Sequence, residues 1–245
     1  MTNKETLKNY LKLARMSGLS ALPRPDGPPP TAAPAPASPA AADPPAGDNS
    51  AENTPAEDLG DLGPIKKMVE GCKRCDISEH IRNYVFGEGN PRARLMFIGE
   101  APGQDEDVQG RPFVGRAGEL LNDIITKGMR LKREDVYIAN ILKCRPPKNR
   151  NPLPDEAANC IGYLNEQIRF IKPEVIVTLG KVPTQFLLDT ETAISRLRGT
   201  FAEYMEIPLM PTFHPAYLLR TPSAKRDVWE DIKQVMTRLG METPS

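Results

Sequence analysis

The sequence predicts an α/β fold in which a mainly parallel β-sheet is covered by helices on both faces. From about residue 62 onward, short apolar segments that resemble strands alternate with segments of helical spacing. Strands that are apolar throughout are typical of a sheet buried on both sides. Their alternation with helices favours the crossover connections that join parallel strands.

The predicted elements follow one another at short intervals. Strands are expected at Leu95–Ile98, Val136–Leu142, Val175–Leu179 and Leu209–Phe213. Helices are expected at Ala117–Met129, Pro154–Ile171, Val182–Leu188 and Ala224–Leu239. Glycine follows the first and third strands, and proline stands in the first turn of the second helix, as is common at such boundaries.

Two segments precede this folded domain, which is expected to span residues 61–245. Residues 21–60 are rich in Pro, Ala, Gly and acidic side chains. Such a segment cannot bury enough apolar surface to fold, so we expect a disordered linker. Residues 1–20 carry apolar side chains at helical spacing, which predicts a short amphipathic helix. This helix could dock a partner protein, pack on the domain or fray.

The composition indicates a cytoplasmic protein with a metal site. No apolar run is long enough to cross a bilayer, and the N-terminus lacks the apolar core of a secretion signal. Thiols stay reduced in the cytoplasm. Four cysteines, of which Cys72 and Cys75 form a Cys-x-x-Cys pair, therefore favour metal binding over disulfides.

Charge is unevenly distributed along the chain. The 32 basic and 32 acidic residues cancel. Residues 1–64 hold 5 basic and 8 acidic side chains, and the remainder holds 27 and 24. Basic residues cluster at Lys143, Arg145, Lys148 and Arg150. Such a cluster could meet phosphates, but charge alone favours an ordinary solvated surface.

Polar motifs fall where the predicted strands end. Glu100 follows the first strand, Asn140 lies in the second near its end, and His214 follows the fourth. Phe113 lies in a glycine-rich segment between the first strand and the next helix. Ligands of parallel sheets bind at the carboxyl ends of the strands. We therefore expect these side chains to line one site.

Together these side chains fit a flipped nucleobase. An amide can read a base edge, an aromatic ring can stack on the base, and a histidine and a carboxylate can act on the bond to the sugar. Each also has a structural alternative. Asn140 could bridge backbone groups, Phe113 could be core, Glu100 could pair with an arginine, and His214 could cap the sheet. Their convergence on one edge favours the site.

Four motifs resemble the signatures of the type 4 uracil-DNA glycosylases. They are Gly99–Asp107, Gly110–Gly118, Asn140–Pro147 and His214–Arg220. The resemblance covers about residues 64 to 240. It implies a three-layer α/β/α sandwich with a central four-stranded, mainly parallel sheet. It also implies a base-excision repair enzyme that flips uracil out of DNA and hydrolyses the bond between base and sugar, leaving an abasic site.

The resemblance assigns roles around the base. Phe113 would stack on uracil, Asn140 would bond its edge, His214 would donate to its O2, and Glu106 would exclude the methyl group of thymine. Glu100 would position or activate water, or offset charge on the sugar. Type 1 enzymes have an aspartate next to this position, where this chain has Ala101. The remaining substrate-binding residues would be Ala101, Pro102, Gly103 and Asp107.

The resemblance also implies two groups of DNA-contacting residues. The basic segment would contact phosphates without reading sequence. The motif after His214 would enter the duplex and fill the gap that the base leaves. The residues concerned are Lys143, Arg145, Lys148 and Arg150 in the first group, and Tyr217, Leu218, Leu219 and Arg220 in the second.

The four cysteines leave two metal chemistries open. Cys72 and Cys75 are close in sequence, whereas Cys144 and Cys160 lie far downstream. This spacing fits either a zinc site or an iron–sulfur cluster. The resemblance favours a structural [4Fe–4S] cluster, and it implies no magnesium or nucleotide cofactor.

Two other functions remain open from the sequence. One is a module that binds uracil-containing DNA without cutting it. The other is an accessory protein of DNA processing whose iron–sulfur cluster carries electrons. In each case the expected partner is DNA, no membrane is involved, and the protein is expected to be a monomer.

Overall fold

The structure is a computed structural model that describes residues 62–243. The predicted N-terminal helix (residues 1–20) and linker (residues 21–60) lie outside the described residues, so both stay predictions. The described residues form an α/β fold, as the alternating pattern predicted.

Within residues 62–243 the sheet has six strands. They are β1 (Glu88–Gly89), β2 (Leu95–Gly99), β3 (Tyr137–Asn140), β4 (Val175–Leu179), β5 (Ala202–Tyr204) and β6 (Ile207–Thr212). Their order is β1-β3-β2-β4-β6-β5. The four central strands β3, β2, β4 and β6 pair in parallel, whereas β1 and β5 pair antiparallel at the two edges. The predicted parallel sheet is thus confirmed, and two short edge strands extend it.

Helices connect the strands. They are α1 (Gly63–Glu70), α2 (Gln104–Gln109), α3 (Arg116–Asp123), α4 (Pro154–Ile171), α5 (Lys181–Leu188), α6 (Ile194–Leu197), α7 (Pro215–Arg220) and α8 (Lys225–Arg238). The predicted helix at Ala117–Met129 is shorter than expected, because a π-helical turn over Ile124–Gly128 continues from α3.

Side chains on the two faces of the sheet belong to different cores. Leu95 and Phe97 pack in a cluster with buried side chains of α3 and α8. Met96 and Ile98, which alternate with them along β2, pack in a second cluster with α1 and α4. Alternate strand residues point to opposite faces, so helices cover both sides of the sheet. This arrangement is the predicted α/β/α sandwich.

The register of the parallel strands brings the polar motifs together. Gly99, the last residue of β2, pairs with Asn140, the last residue of β3. The hydrogen bonding continues past the strand ends, from the Ile141 N–H to the Gly99 oxygen at 3.0 Å. The chain runs from β2 to β3 on one side and then crosses to β4 on the other. Ligand crevices of open α/β sheets form where the strand order reverses in this way.

Candidate active site and cysteine pocket

An open cleft of about 700 Å³ lies at the carboxyl ends of the parallel strands. The loops after β2, β3 and β6 line it, together with the start of α3. It brings together most of the residues that the sequence predicted for the base. The predicted residues that line it are Glu100, Ala101, Pro102, Gly103, Glu106, Phe113, Asn140, Arg150, His214, Tyr217 and Arg220.

Asn140 presents an unsatisfied acceptor in this cleft. Its side chain is 2% exposed. Among the buried side-chain nitrogen and oxygen atoms of residues 62–243, only Oδ1 of Asn140 lacks a hydrogen-bond partner. A buried polar atom without a partner costs free energy, of the order of 1–3 kcal/mol. An unpartnered acceptor on a residue that lines the cleft makes Asn140 a candidate for binding a donor group of a ligand.

Phe113 forms an aromatic wall next to Asn140. Its backbone φ is +51°, in the left-handed region that is costly for an aromatic residue. Its ring is 7% exposed and lies 5.7 Å from the ring of His214, with 31° between the planes. A Cβ on Gly99 would stand 2.5 Å from Cζ of Phe113 and 2.3 Å from Oδ1 of Asn140. A glycine at the end of β2 therefore allows both side chains to meet in the cleft.

His214 is held as a neutral donor. Its Nδ1 accepts the backbone N–H of Ala216 at 3.0 Å, which caps α7. Burial lowers the pKa of His214 to about 4; the positive charge of Arg220 acts in the same direction, and Glu106 opposes it. A neutral imidazole that accepts at Nδ1 carries its proton on Nε2. His214 therefore offers an N–H to the cleft at neutral pH.

Two glutamates line the cleft in different ways. Burial raises the pKa of Glu100, which makes this carboxylate a stronger base than an exposed one. Glu106 accepts backbone N–H groups from Gly103 at 3.1 Å, Val114 at 2.9 Å and Gly115 at 3.1 Å. These three bonds fix its carboxylate and join the loop after β2 to the Phe113 segment.

Three predicted site residues are buried and do not line the cleft. Asp107 is 3% exposed, and its Oδ1 accepts the backbone N–H groups of Arg82 at 2.9 Å and Asn83 at 3.4 Å. Leu218 is 1% exposed and packs in the α3–α8 core. The expectations that Asp107 contacts the base and that Leu218 enters DNA are wrong, because neither side chain reaches the surface.

The third is Lys143, which was expected to contact a phosphate. It is 1% exposed. Its Nζ donates to the backbone oxygen of Asn140 at 3.0 Å and to Oε1 of Gln167 at 2.6 Å. This prediction is also wrong, because the ammonium points into the domain.

The other basic residues near the cleft differ in whether hydrogen bonds within the protein already engage their charged groups. Arg150 is bound to Glu156 through both of its terminal nitrogens, at 2.8 and 2.6 Å. Arg145 donates to Oδ1 of Asn149 at 2.7 Å, and Lys148 is exposed. Tyr217 and Leu219 are 37% and 40% exposed on α7.

The cleft also contains residues that the sequence did not single out. Arg116 opens α3 and lines the cleft, as do Asn149 and Asn151 of the loop after β3. Arg116 belongs to the glycine-rich motif that carries Phe113. A cationic side chain near the end of this motif was the signal by which the sequence could have identified it.

The four cysteines line a second pocket, on the α1–α4 side of the sheet. Cys72, Cys75, Cys144 and Cys160 are all free thiols, and aromatic and aliphatic side chains complete the pocket. Burial raises the pKa of Cys160 to about 11 and that of Cys144 still further, and mutual repulsion between the thiolates contributes for both. Four such thiols can ionise together only beside a strong positive charge, so this donor set fits a metal group.

Among the described residues, no group of side chains is arranged around a single metal ion. Across the part of the chain that the structure describes, no three His, Cys, Asp or Glu side chains converge closely enough to hold one metal ion. A tetrahedral zinc site needs four donors around one atom, whereas each cysteine of a [4Fe–4S] cluster binds a different iron. The four cysteines thus share one pocket without forming a site for a single ion in the described residues.

Comparison with known proteins agrees with this geometry. Residues 86–233 match the model of the uracil DNA glycosylase superfamily. The type-4 uracil-DNA glycosylase of Archaeoglobus fulgidus is 42% identical over 75% of this chain and 96% of its own length. Those of Sulfurisphaera tokodaii and Thermotoga maritima are 42% and 43% identical, over 72% and 73% of this chain and 84% and 94% of their own. The chain belongs to the type-4 uracil-DNA glycosylases.

Membership of this family makes the protein a uracil-DNA glycosylase and confirms the sequence-based assignment. The matched region begins at Phe86 and includes all the residues that line the cleft. Cys72 and Cys75 precede it. In the described part of the chain, no helix has the length and apolar character that a membrane span requires.

Proposed function

We propose that this enzyme binds uracil flipped out of DNA and hydrolyses the bond between base and sugar, leaving an abasic site. The observation that carries this proposal is the unpartnered Oδ1 of Asn140. Uracil has an N–H at position 3 that can donate to Oδ1, and an oxygen at position 4 that can accept from Nδ2. Cytosine has an acceptor at position 3 and a donor at position 4, so both bonds would be lost.

Phe113 and Glu106 complete the recognition of the base. The Phe113 ring offers a stacking surface whose position is set by Gly99. Glu106 excludes the 5-methyl group of thymine, because its three backbone hydrogen bonds prevent the carboxylate from moving aside. A flipped base is thus recognised by hydrogen bonds to its edge, by stacking on its face and by exclusion of a methyl group at position 5.

His214 stabilises the leaving uracil. As the bond to the sugar breaks, negative charge spreads over the base, and the Nε2–H of His214 donates to O2. Because the histidine is already neutral and oriented by Ala216, it needs no change of protonation state. A preorganised donor of this kind typically contributes about 10²–10³ in rate.

Glu100 acts on the sugar side of the bond. Its carboxylate orients water and offsets the positive charge that develops on the sugar. The support is its position directly after β2, in the cleft, and the burial that raises its pKa.

The rim of the cleft contacts the DNA. The exposed side chains of Tyr217 and Leu219 on α7 fill the space that the base leaves, while Arg116, Lys148 and Arg220 contact phosphates. Arg145 and Arg150 contribute less than the sequence suggested, because hydrogen bonds within the protein already engage both guanidinium groups.

Cys72, Cys75, Cys144 and Cys160 would hold a [4Fe–4S] cluster. A cluster supplies cross-links between distant parts of the chain, here between the segment before β1, the loop after β3 and α4. The pocket that the four free thiols share supports this assignment. Anaerobically purified protein should be brown, with iron and sulfide in equal amounts; colourless protein with one zinc would contradict it.

The proposal extends to the location and partners of the enzyme. Four free thiols fit the reducing cytoplasm. The substrate is uracil-containing DNA, the active form is a monomer, and the N-terminal segment (residues 1–20) docks a protein of repair or replication.

The experiment that tests the proposal measures base release from oligonucleotides with one uracil, thymine or cytosine at the same position. Release confined to uracil, without strand cleavage, is expected. His214→Ala should lower the rate about 100-fold or more while DNA affinity stays nearly constant. Binding without release would indicate a non-catalytic module instead, and equal loss of rate and affinity in His214→Ala would contradict its catalytic role.

A further inference from the structure

Lys143 lies between the base cleft and the cysteine pocket, and the chemistry proposed above makes no use of it. Its side chain is among the largest fully buried ones, and it lines the cysteine pocket just before Cys144. Its backbone N–H donates to Sγ of Cys160 at 3.3 Å. Burying an ammonium is expensive unless hydrogen bonds compensate, so its partners indicate what it does.

The ammonium of Lys143 joins two polar groups of different elements. Nζ donates to the backbone oxygen of Asn140 at 3.0 Å and to Oε1 of Gln167, on α4, at 2.6 Å. Nε2 of Gln167 in turn donates to the Phe86 oxygen at 2.9 Å and to the Tyr137 hydroxyl at 3.1 Å. Gln167 is therefore held at both ends of its amide and gives Lys143 a fixed anchor.

These contacts fix the peptide group that follows Asn140. On one side, its N–H belongs to Ile141 and donates to the Gly99 oxygen at 3.0 Å. On the other side, its carbonyl oxygen accepts from Lys143. With both ends bound, the peptide plane cannot rotate about the Asn140 backbone. The backbone position from which the Asn140 side chain projects is restrained as well.

We propose that Lys143 is a positioning residue for base recognition, which holds the amide of Asn140 in the orientation that accepts uracil. The inference rests on the proposed role of Asn140 and extends it. It also explains why a lysine that looks like a DNA contact in the sequence is buried beneath the cleft. Lys143 is buried and does not line the cleft, so its effect on base recognition passes through Asn140.

A double-mutant cycle tests this coupling. Lys143→Met keeps the length of the side chain but removes its hydrogen bonds, and should lower kcat/KM for uracil about 10- to 100-fold. DNA affinity should change little. Asn140→Ala alone should cause a larger loss. Adding Lys143→Met to Asn140→Ala should cost nothing further, since a positioning residue has no effect once the group that it positions is gone.

A second variant tests whether the effect of Lys143→Met arises from misfolding. Lys143→Met leaves the acceptor of Gln167 buried and unpaired, whereas Lys143→Met/Gln167→Leu removes both members of that pair. It should show the same lack of additivity with Asn140→Ala. Tyr204→Phe is the matched control. Tyr204 lies on the edge strand β5, and the substitution removes its 2.7 Å hydrogen bond to Asn165 of α4. It should leave kcat/KM unchanged. Rates are normalised to the iron-loaded fraction of each variant.

The outcomes separate the two claims. Losses that multiply in Asn140→Ala/Lys143→Met would overturn the positioning role and leave the role of Asn140 intact. Unchanged activity in Asn140→Ala would overturn the proposal that Asn140 recognises the base. Unchanged activity in Lys143→Met with full iron would overturn the inference alone.

Discussion

Gly99 illustrates at the scale of one residue how the cleft depends on a missing side chain. A Cβ there would stand 2.3 Å from Oδ1 of Asn140 and 2.5 Å from Cζ of Phe113. Gly99→Ala should therefore displace both groups and lower kcat/KM for uracil about 100-fold, since misplacement by about 1 Å can cost that much. Steady-state kinetics on a uracil oligonucleotide would measure it.

Gly162→Ala is the control for this substitution. Gly162 lies on α4, and nothing stands within 4 Å of its added Cβ. The substitution should keep full activity and raise the free energy of unfolding by up to about 1 kcal/mol, because alanine favours helix over glycine. Equal activity in the two alanine variants would contradict the account of the Gly99 contact.

His214 should leave a signature in the pH dependence of stability. Its pKa is lowered from 6.5 to about 4 in the folded protein. Between these values the unfolded chain binds a proton that the folded protein does not, so stability falls as the pH falls. The contribution is present above pH 6.5 and is lost towards pH 4.

The magnitude can be isolated with His214→Gln, which does not titrate. From pH 7 to pH 5, wild type should lose about 2 kcal/mol more of its free energy of unfolding than the variant loses. Urea unfolding at each pH measures the difference. Parallel pH profiles for the two proteins would show that His214 is not held neutral.

The sequence predicted which kinds of side chain line the cleft better than it predicted which individual side chains point into it. Asn140, Phe113 and His214 meet in the cleft because each stands at a recognisable strand end or glycine-rich motif. Lys143 and Asp107 belong to the same motifs but do not line the cleft. Sequence spacing alone does not reveal which polar side chain points inward, since that depends on acceptors such as Gln167 from distant segments.

At the scale of elements, α7 presents an exposed ridge beside the cleft. Leu219 is 40% exposed there, and Leu218, next to it, anchors the helix in the core. Leu219→Ala should slow uracil release from duplex DNA about 10-fold and leave single-stranded DNA nearly unaffected. Extrusion of a base from a stacked duplex costs a few kcal/mol, which single strands do not require. Equal slowing on both substrates would contradict a role in filling the duplex.

The elements that could be predicted are those with strong local patterns. β2 and β4 are buried at every position and, apart from Thr178, lack polar side chains, and α4 begins with Pro154 and keeps its helical period to Ile171. The edge strands β1 and β5 have two and three residues, too few for a period to show. Their pairing is set by tertiary contact with β3 and β6, which the sequence does not display.

At the scale of the whole molecule, one segment joins the two pockets. Asn140 faces the cleft at the end of β3, and Cys144 faces the cysteine pocket four residues later. The buried Lys143 and the cysteines anchor this segment on the side that faces away from the cleft. The cleft thus lies at one edge of the sheet, and the cysteine pocket lies on one face.

Within the described part of the chain, the residues that line the cleft lie between Glu100 and Arg220. A chain that begins at Leu62 should retain base release from short oligonucleotides within about twofold, because residues 62–243 supply both hydrophobic clusters and the cleft. Measurement of kcat/KM for the two chains tests this. A collapse of activity in the shorter chain would show that the N-terminal segment takes part in catalysis.

The most direct test of the central claim is Asn140→Asp, assayed on matched oligonucleotides that carry uracil or cytosine. Aspartate keeps the shape of asparagine but replaces its N–H donors with an acceptor. Release of uracil should fall at least about 100-fold, and the ratio of uracil to cytosine release should fall at least about 10-fold, because the cytosine amino group gains an acceptor. An unchanged ratio would contradict the claim that Asn140 distinguishes the two bases.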